Sequence, residues 1–313
     1  MRIFRERRAD AECDSRGARG TAAPGAGLSG VRAAVAIASA KGGVGKSAVT
    51  VNLAAALALA GQKVGILDAD LNSPNVLAML GLQAPRRVFA GEAIEPIAGP
   101  LGLRIAASGL LPGGEPPPIS FLDGDAAHEA VSRNGSALAE LDYDDALRRL
   151  LGLTNFGALD VLLIDLAPGL EQLFRLARIA PLAGAIIVTQ PSDFAVRATR
   201  GAIEIARLCS VPVLGLVENM VGFSCEGCHS VRPLLPHGDL AAVAAADGVA
   251  TLARLPFDSR LAESCDRGVI FIRAYPESPL AKNFHELARL VALRLKAAAA
   301  EPHQLSSAPE EAG

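Results

Sequence analysis

Along residues 33–291, short and almost unbroken apolar runs alternate with segments whose apolar residues recur every three or four positions. The runs 33–38, 63–67, 103–107, 161–164, 184–189, 211–217 and 251–255 read as strands. Helical spacing falls on 48–60, 136–153, 170–180, 194–209, 239–246, a segment after Asp258, and 278–300. Strands that are apolar throughout are buried on both faces, and strict alternation with short joins implies a parallel sheet covered by helices on both sides. The pattern predicts a doubly wound, mostly parallel α/β fold.

Outside that pattern, residues 1–30 are rich in Arg, Ala, Gly and Pro and are expected to be a disordered leader, as is the tail 301–313. Residues 31–300 then form a single domain. Segment 85–100 reads as a loop with room for a short hairpin. Prolines and glycines at 112–118 break regular structure, and 112–135 is expected to be a mobile insertion over the site. In the last helix Phe284, Leu287, Val291 and Leu295 share one face, opposite Lys282, Arg289 and Lys296. That face is expected to dock on the core rather than lie on a membrane.

Where the first strand meets the first helix the chain reads Lys41-Gly42-Gly43-Val44-Gly45-Lys46-Ser47. Glycines there let the backbone turn its N–H groups inward, the helix start adds partial positive charge, Lys46 reaches terminal phosphates, and Ser47 offers a hydroxyl to magnesium. Asp68, Asp70 and Asp165 end strands beside the same crevice, where carboxylates serve magnesium and water.

Composition narrows the partners. The formal net charge of -3 on 313 residues leaves no electrostatic footprint for nucleic acid. No window offers the roughly 18 uninterrupted apolar residues of a membrane span, and the first residues fit neither a signal nor a transit peptide, so a cytoplasmic location is expected. In a reducing compartment the cysteines are thiols, and the closely spaced Cys225 and Cys228 point to metal or redox chemistry. A labile iron-sulfur cluster, a zinc site completed by His229, His237 or a second chain, and a redox dithiol all fit the spacing. Two thiolates make half of a four-ligand site, so a symmetric dimer would complete it.

The lysine directly before Gly-Gly-Val-Gly-Lys-Ser resembles the deviant Walker A loop of the ParA, MinD, Mrp and nitrogenase-iron-protein group, a branch of the SIMIBI P-loop NTPases. Segment Glu218-Asn219-Met220-Val221-Gly222-Phe223-Ser224-Cys225-Glu226-Gly227-Cys228, followed by Leu255-Pro256-Phe257-Asp258, is similar to the corresponding blocks of Mrp-type iron-sulfur carrier ATPases. The resemblance implies ATP and Mg2+ as cofactors and a [4Fe-4S] cluster on Cys225 and Cys228, in a loop near 222–232 of a homodimer that serves apo iron-sulfur recipients. It further implies that Lys41 reaches the partner's nucleotide, Asp70 orients water, Ser47, Asp68 and Asp165 serve magnesium, and Asn219 and Pro256 lie at the base.

The chain also departs from that family. Asp165-Leu166-Ala167-Pro168-Gly169-Leu170-Glu171-Gln172 stands where D-x-P-P-G-T-G-D is usual, without the threonine and the final aspartate. Binding is therefore expected to transfer more safely than hydrolysis rate. A MinD- or ParA-like positioning switch, with zinc or nothing on the cysteines, is the competing expectation.

Overall fold

The computed structural model describes residues 26–71, 73–83, 89–90, 93–110, 143–224, 231–235 and 238–300. Among them the strands are β1 (Ala34–Ala38), β2 (Val64–Ala69), β3 (Phe89–Ala90), β4 (Ala93–Ile94), β5 (Ile97–Ala98), β6 (Arg104–Ala107), β7 (Val161–Leu166), β8 (Gly184–Thr189), β9 (Val213–Ser224), β10 (Val231–Arg232) and β11 (Thr251–Phe257). The helices are α1 (Lys46–Leu59), α2 (Val76–Met79), α3 (Tyr143–Leu153), α4 (Leu170–Ile179), α5 (Asp193–Leu208), α6 (Leu240–Ala246), α7 (Ser259–Asp266), α8 (Phe271–Ala274) and α9 (Pro279–Ala300).

The main sheet runs β10-β9-β8-β1-β7-β2-β6-β5, with β11 also on β9. Its central pairs are parallel, and antiparallel pairing is confined to β5 with β6 and β10 with β9. From β1 the chain first builds toward β2 and β6, then returns to build toward β8 and β9. The crevice beyond β1 is thus the point where winding reverses, which in open α/β sheets is where ligands sit.

Period-two alternation explains how one strand serves two cores. Val35 and Ile37 of β1 face a cluster with α1, α8 and α9, whereas Ala34, Ala36 and Ala38 face one with α3 and α4. Helix α1 carries apolar residues all round and is buried from Val49 to Leu57, clamped between the sheet and α9. Its one interior amide, Asn52, is satisfied: Nδ2 donates to the Ala48 carbonyl, and Oδ1 accepts from the Ile272 N–H at 3.3 Å. On α9, Phe284, Leu287 and Val291 are fully buried and Leu295 packs behind them, so this helix is docked on the core as expected. Truncating Phe284 to Ala would cost about 3–5 kcal/mol at such a site.

Several boundaries differ from the sequence expectation. The chain is already packed before residue 31: Ala26–Leu28 forms a 3-10 turn, Leu28 is buried, and the turn rests on α3. Strand β9 runs past residue 217 to Ser224, because β11 pairs with it as far as Phe223 and β10 pairs with Phe223 and Ser224. Since Phe223 has both neighbours, β10 and β11 occupy opposite edges of β9. Likewise β11 continues through Pro256, whose missing N–H falls at a register shift between Leu255↔Asn219 and Phe257↔Phe223. Of the helix expected over 136–153, the part from Tyr143 is described; 136–142, the 112–135 insertion and the 301–313 tail lie outside the described residues.

Candidate functional site

The loop between β1 and α1 is built by conformation before chemistry. Gly43 and Gly45 take φ of 76° and 84°, a left-handed region that side chains rarely enter. A Cβ on Gly45 would also lie 2.4 Å from Asn219 Nδ2. Gly45 caps α1 without any side-chain hydrogen bond, so the first-turn N–H groups point outward unmatched by a capping side chain. At the loop's start, Ser39 Oγ is buried with no hydrogen-bond partner. An uncapped, glycine-lined helix start with a buried hydroxyl beside it is an anion cradle.

Two side-chain amides hold the loop's carbonyls from outside. Asn219 Nδ2 donates to the Val44 carbonyl at 2.9 Å, and Gln190 Nε2 donates to the Gly43 carbonyl at 3.1 Å while touching Met220 Sδ. With the carbonyls held outward, the N–H groups are left for a ligand. Met220 itself sits at φ 61°.

Beneath the loop, Asp165 gathers three donors. Lys46 Nζ lies 2.8 Å from Oδ1, Thr50 Oγ1 donates to Oδ1 at 2.8 Å, and Ser47 Oγ donates to Oδ2 at 2.5 Å. Lys46 and Asp165 are both buried, so removing either partner would strand a charge at a cost of about 3–5 kcal/mol.

Asp68 stands beside Asp165 as its register partner on the adjacent strand. Rather than ending the strand, it is buried inside β2; Oδ1 accepts from the Asp70 N–H at 3.1 Å and Oδ2 from the Val76 N–H at 3.0 Å. Burial, and then the neighbouring Asp165 charge, push its carboxyl up to about 7. These two adjacent carboxyls, with Ser47 at the rim, are a hard-oxygen donor set that suits Mg2+.

The remaining expected residues are placed as follows. Asp70 is half-buried past the strand end and accepts from the Ser73 N–H at 3.1 Å. Lys41 lies over the exposed Phe194 ring, 5.9 Å from its centroid. Gly42 faces Pro168, and the Gly169 N–H donates to the Ser39 carbonyl, so the segment after Asp165 closes the loop's other side. Leu170, where a threonine is usual, packs toward Gly201 of α5. Pro256 is half-buried within β11, one residue beyond the Asn219 partner Leu255.

Cys225 and Cys228, with His229 and His237, lie outside the described residues; on either side of the pair, Ser224 and Val231 are register partners. Among the described residues no three or more His, Cys, Asp or Glu side chains gather where they could hold a metal ion, and no helix is long and apolar enough to cross a membrane. Cys209 is half-buried against the α3–α4 core, and burial raises its thiol pKa.

A family model described as ParA, NUBPL iron-transfer P-loop NTPase, matches residues 30–292. The chain belongs to this iron-transfer P-loop NTPase family. An iron-sulfur cluster carrier protein of Methanocaldococcus jannaschii is 36% identical over 244 residues, covering 77% of this chain and 78% of its own. One from Pseudomonas fragi is 36% identical over 263 residues, covering 84% and 86%. Among solved structures, a nucleotide-binding protein of Archaeoglobus fulgidus in complex with ADP aligns with a TM-score of 0.64 and 31% identity, over 78% of this chain and 89% of that one. The cell division ATPase MinD of Pyrococcus furiosus aligns with a TM-score of 0.58 at 22% identity, a likeness of fold. The mostly parallel sheet and the loop after β1 are thus those of this NTPase family.

Thr50, Gln190 and Tyr143 escaped the sequence reading. Thr50 had a signal, a hydroxyl one turn after Lys46 in a mostly apolar helix, and Gln190 had only its place at a strand's carboxyl end.

Proposed function

We propose that this NTPase is an ATP-binding iron-sulfur cluster carrier. In this reading two copies hold one [4Fe-4S] cluster, as cargo, between Cys225 and Cys228 of each, and nucleotide gates its loading or release. The observation that carries the nucleotide half is the convergence of Lys46, Ser47 and Thr50 on Asp165 beneath a loop whose Gly43 and Val44 carbonyls are already held by side-chain amides. Support for the cargo half comes from relatives named as iron-sulfur cluster carriers over most of the chain.

In this reading the site residues take the following roles, those of Asp70, Lys41, Asn219 and Pro256 being the ones the family resemblance implies. Phosphates bind the unmatched N–H groups of the loop, and Lys46 exchanges its bond to Asp165 for one to a phosphate oxygen. Ser47 with Asp165 and Asp68 would hold Mg2+, which supplies neutralising charge on the phosphates. Asp70, beyond the strand end, orients the attacking water. Lys41, on the exposed rim over Phe194, contributes to the partner's site, and Asn219 and Pro256 flank the base. Turnover is slow, because Leu170 and Gln172 offer neither the hydroxyl nor the carboxylate usual in related carriers.

The test is transfer from the anaerobically reconstituted protein to an apo [4Fe-4S] acceptor, followed by visible absorption, with and without ATP. ATP changes the transfer rate several-fold in the wild-type chain and not in Lys46→Ala. Iron retention with a rate indifferent to ATP in both would refute nucleotide gating. Failure to take up iron at all would favour the positioning-switch reading.

A further inference from the structure

Tyr143, the first residue of α3, reaches across to β2. Its hydroxyl donates to the Ala69 carbonyl at 2.7 Å. Ala69 is the last residue of β2 and sits between Asp68 and Asp70. The bond therefore grips the backbone at the one point common to both carboxylates. Those carboxylates in turn organise the following turn, since their oxygens accept the N–H groups of Asp70, Ser73 and Val76.

The ring of Tyr143 is held as well. The Arg175 guanidinium of α4 lies over it, 5.5 Å from the ring centroid, and Arg175 Nη1 pairs with Asp144 at 3.2 Å. Helix α4 begins directly after Gly169, whose N–H bonds the Ser39 carbonyl at the base of the phosphate loop. One chain of contacts thus joins the segment that follows Asp165, through Arg175 and Tyr143, to the carboxylate end of β2.

We propose that Tyr143 is a positioning residue for ATP hydrolysis, with its hydroxyl fixing the Asp68-Ala69-Asp70 strand end and Arg175 tying that end to the segment after Asp165. This rests on the ATPase reading given above. Tyr143 touches no reacting atom; it acts through Asp70, whose aim decides where the water stands. Burial and the nearby Asp70 charge raise the phenol above its ordinary value, so the hydroxyl stays protonated as a donor at working pH.

Tyr143→Phe keeps the ring under Arg175 and removes only the oxygen. The expected result is an ATP turnover lowered about tenfold with the KM for ATP and the affinity for ADP within about twofold, as loss of positioning rather than of binding requires. Amide hydrogen exchange at Asp70, Ser73 and Val76 accelerates in the same variant, while amides of α1 and β7 keep their protection. Arg175→Leu gives a smaller fall in turnover and the same local exchange signature. Unchanged exchange at those three amides overturns the proposal. So does a parallel loss of turnover and ADP affinity with a general loss of protection, the behaviour of a merely structural strut. A wild-type chain with no measurable turnover would defeat the ATPase reading alone, because the exchange measurement still decides whether the clamp exists.

Discussion

Asp68→Asn replaces a buried carboxyl that stands beside Asp165 by a neutral group of nearly the same shape. The carboxyl moves from an ordinary value of 3.8 to about 7 on folding, raised first by burial and then by Asp165. Between those pH values the folded chain keeps a proton that the unfolded chain has released, so stability falls as pH rises from about 4 to about 7 and is level above. At 1.36 kcal/mol per pK unit, the full displacement amounts to roughly 4 kcal/mol of stability lost by pH 8. The amide removes that loss but keeps only one acceptor for the Asp70 and Val76 N–H groups, at a cost of about 1–3 kcal/mol. The net expectation is a gain of about 1–3 kcal/mol at pH 8, a rise of roughly 2–5 °C in Tm for a chain this size. At pH 5 the wild-type carboxyl is already protonated when folded, and the gain shrinks to nothing or reverses. Calorimetry of both proteins from pH 5 to 8, without nucleotide or divalent ion, measures this directly. An equal Tm difference at pH 5 and pH 8, of either sign, would refute the claim that burial, with the Asp165 charge beside it, raises the Asp68 carboxyl on folding. Nucleotide turnover should fall in the variant although its stability rises, the mark of strain kept for function.

Three further outcomes follow from the same site. Lys46→Ala abolishes measurable ATP affinity and lowers the stability of the free protein, since Asp165 loses its buried counter-charge; isothermal titration and thermal melting read the two effects separately. Lys41→Ala spares ATP binding but loses nucleotide-dependent dimerisation and turnover, and full turnover in that variant would show that the lysine serves no partner site. Gln190→Leu frees the Gly43 carbonyl and weakens nucleotide binding about 3–10-fold with little change in melting temperature, whereas unchanged affinity would mean the loop holds its shape unaided.

The hydrophobic pattern located the sheet's strands because both-face burial leaves an unbroken apolar run, and it placed Asp165 and the phosphate loop because strand ends in such sheets meet at one crevice. It ended β9 too early because Glu218 and Asn219 are polar, and what keeps them in a strand is pairing to β11, a long-range contact with no local signal. Asp68 was read as ending its strand, and it does lie near the end of β2; what the pattern did not show is its burial, with its carboxyl accepting the Val76 N–H at the start of α2. Leu28 looked like leader sequence because its partners lie on α3, far along the chain. Tyr143 and Gln190 carry ordinary polar or aromatic character at ordinary positions, and only the folded arrangement aims them at a particular carbonyl.

The central claim, that two chains share one cluster, is tested most directly by counting iron. Four cysteinyl ligands at two per chain require about one four-iron cluster per dimer after anaerobic reconstitution, or about two irons per chain. Cys225→Ser or Cys228→Ser each deletes two of the four ligands by symmetry, so either change should leave no cluster, whereas Cys13→Ser, Cys209→Ser and Cys265→Ser should retain it with ATP binding intact. Purification with one tightly held zinc per chain, and no iron uptake on reconstitution, would contradict the carrier account.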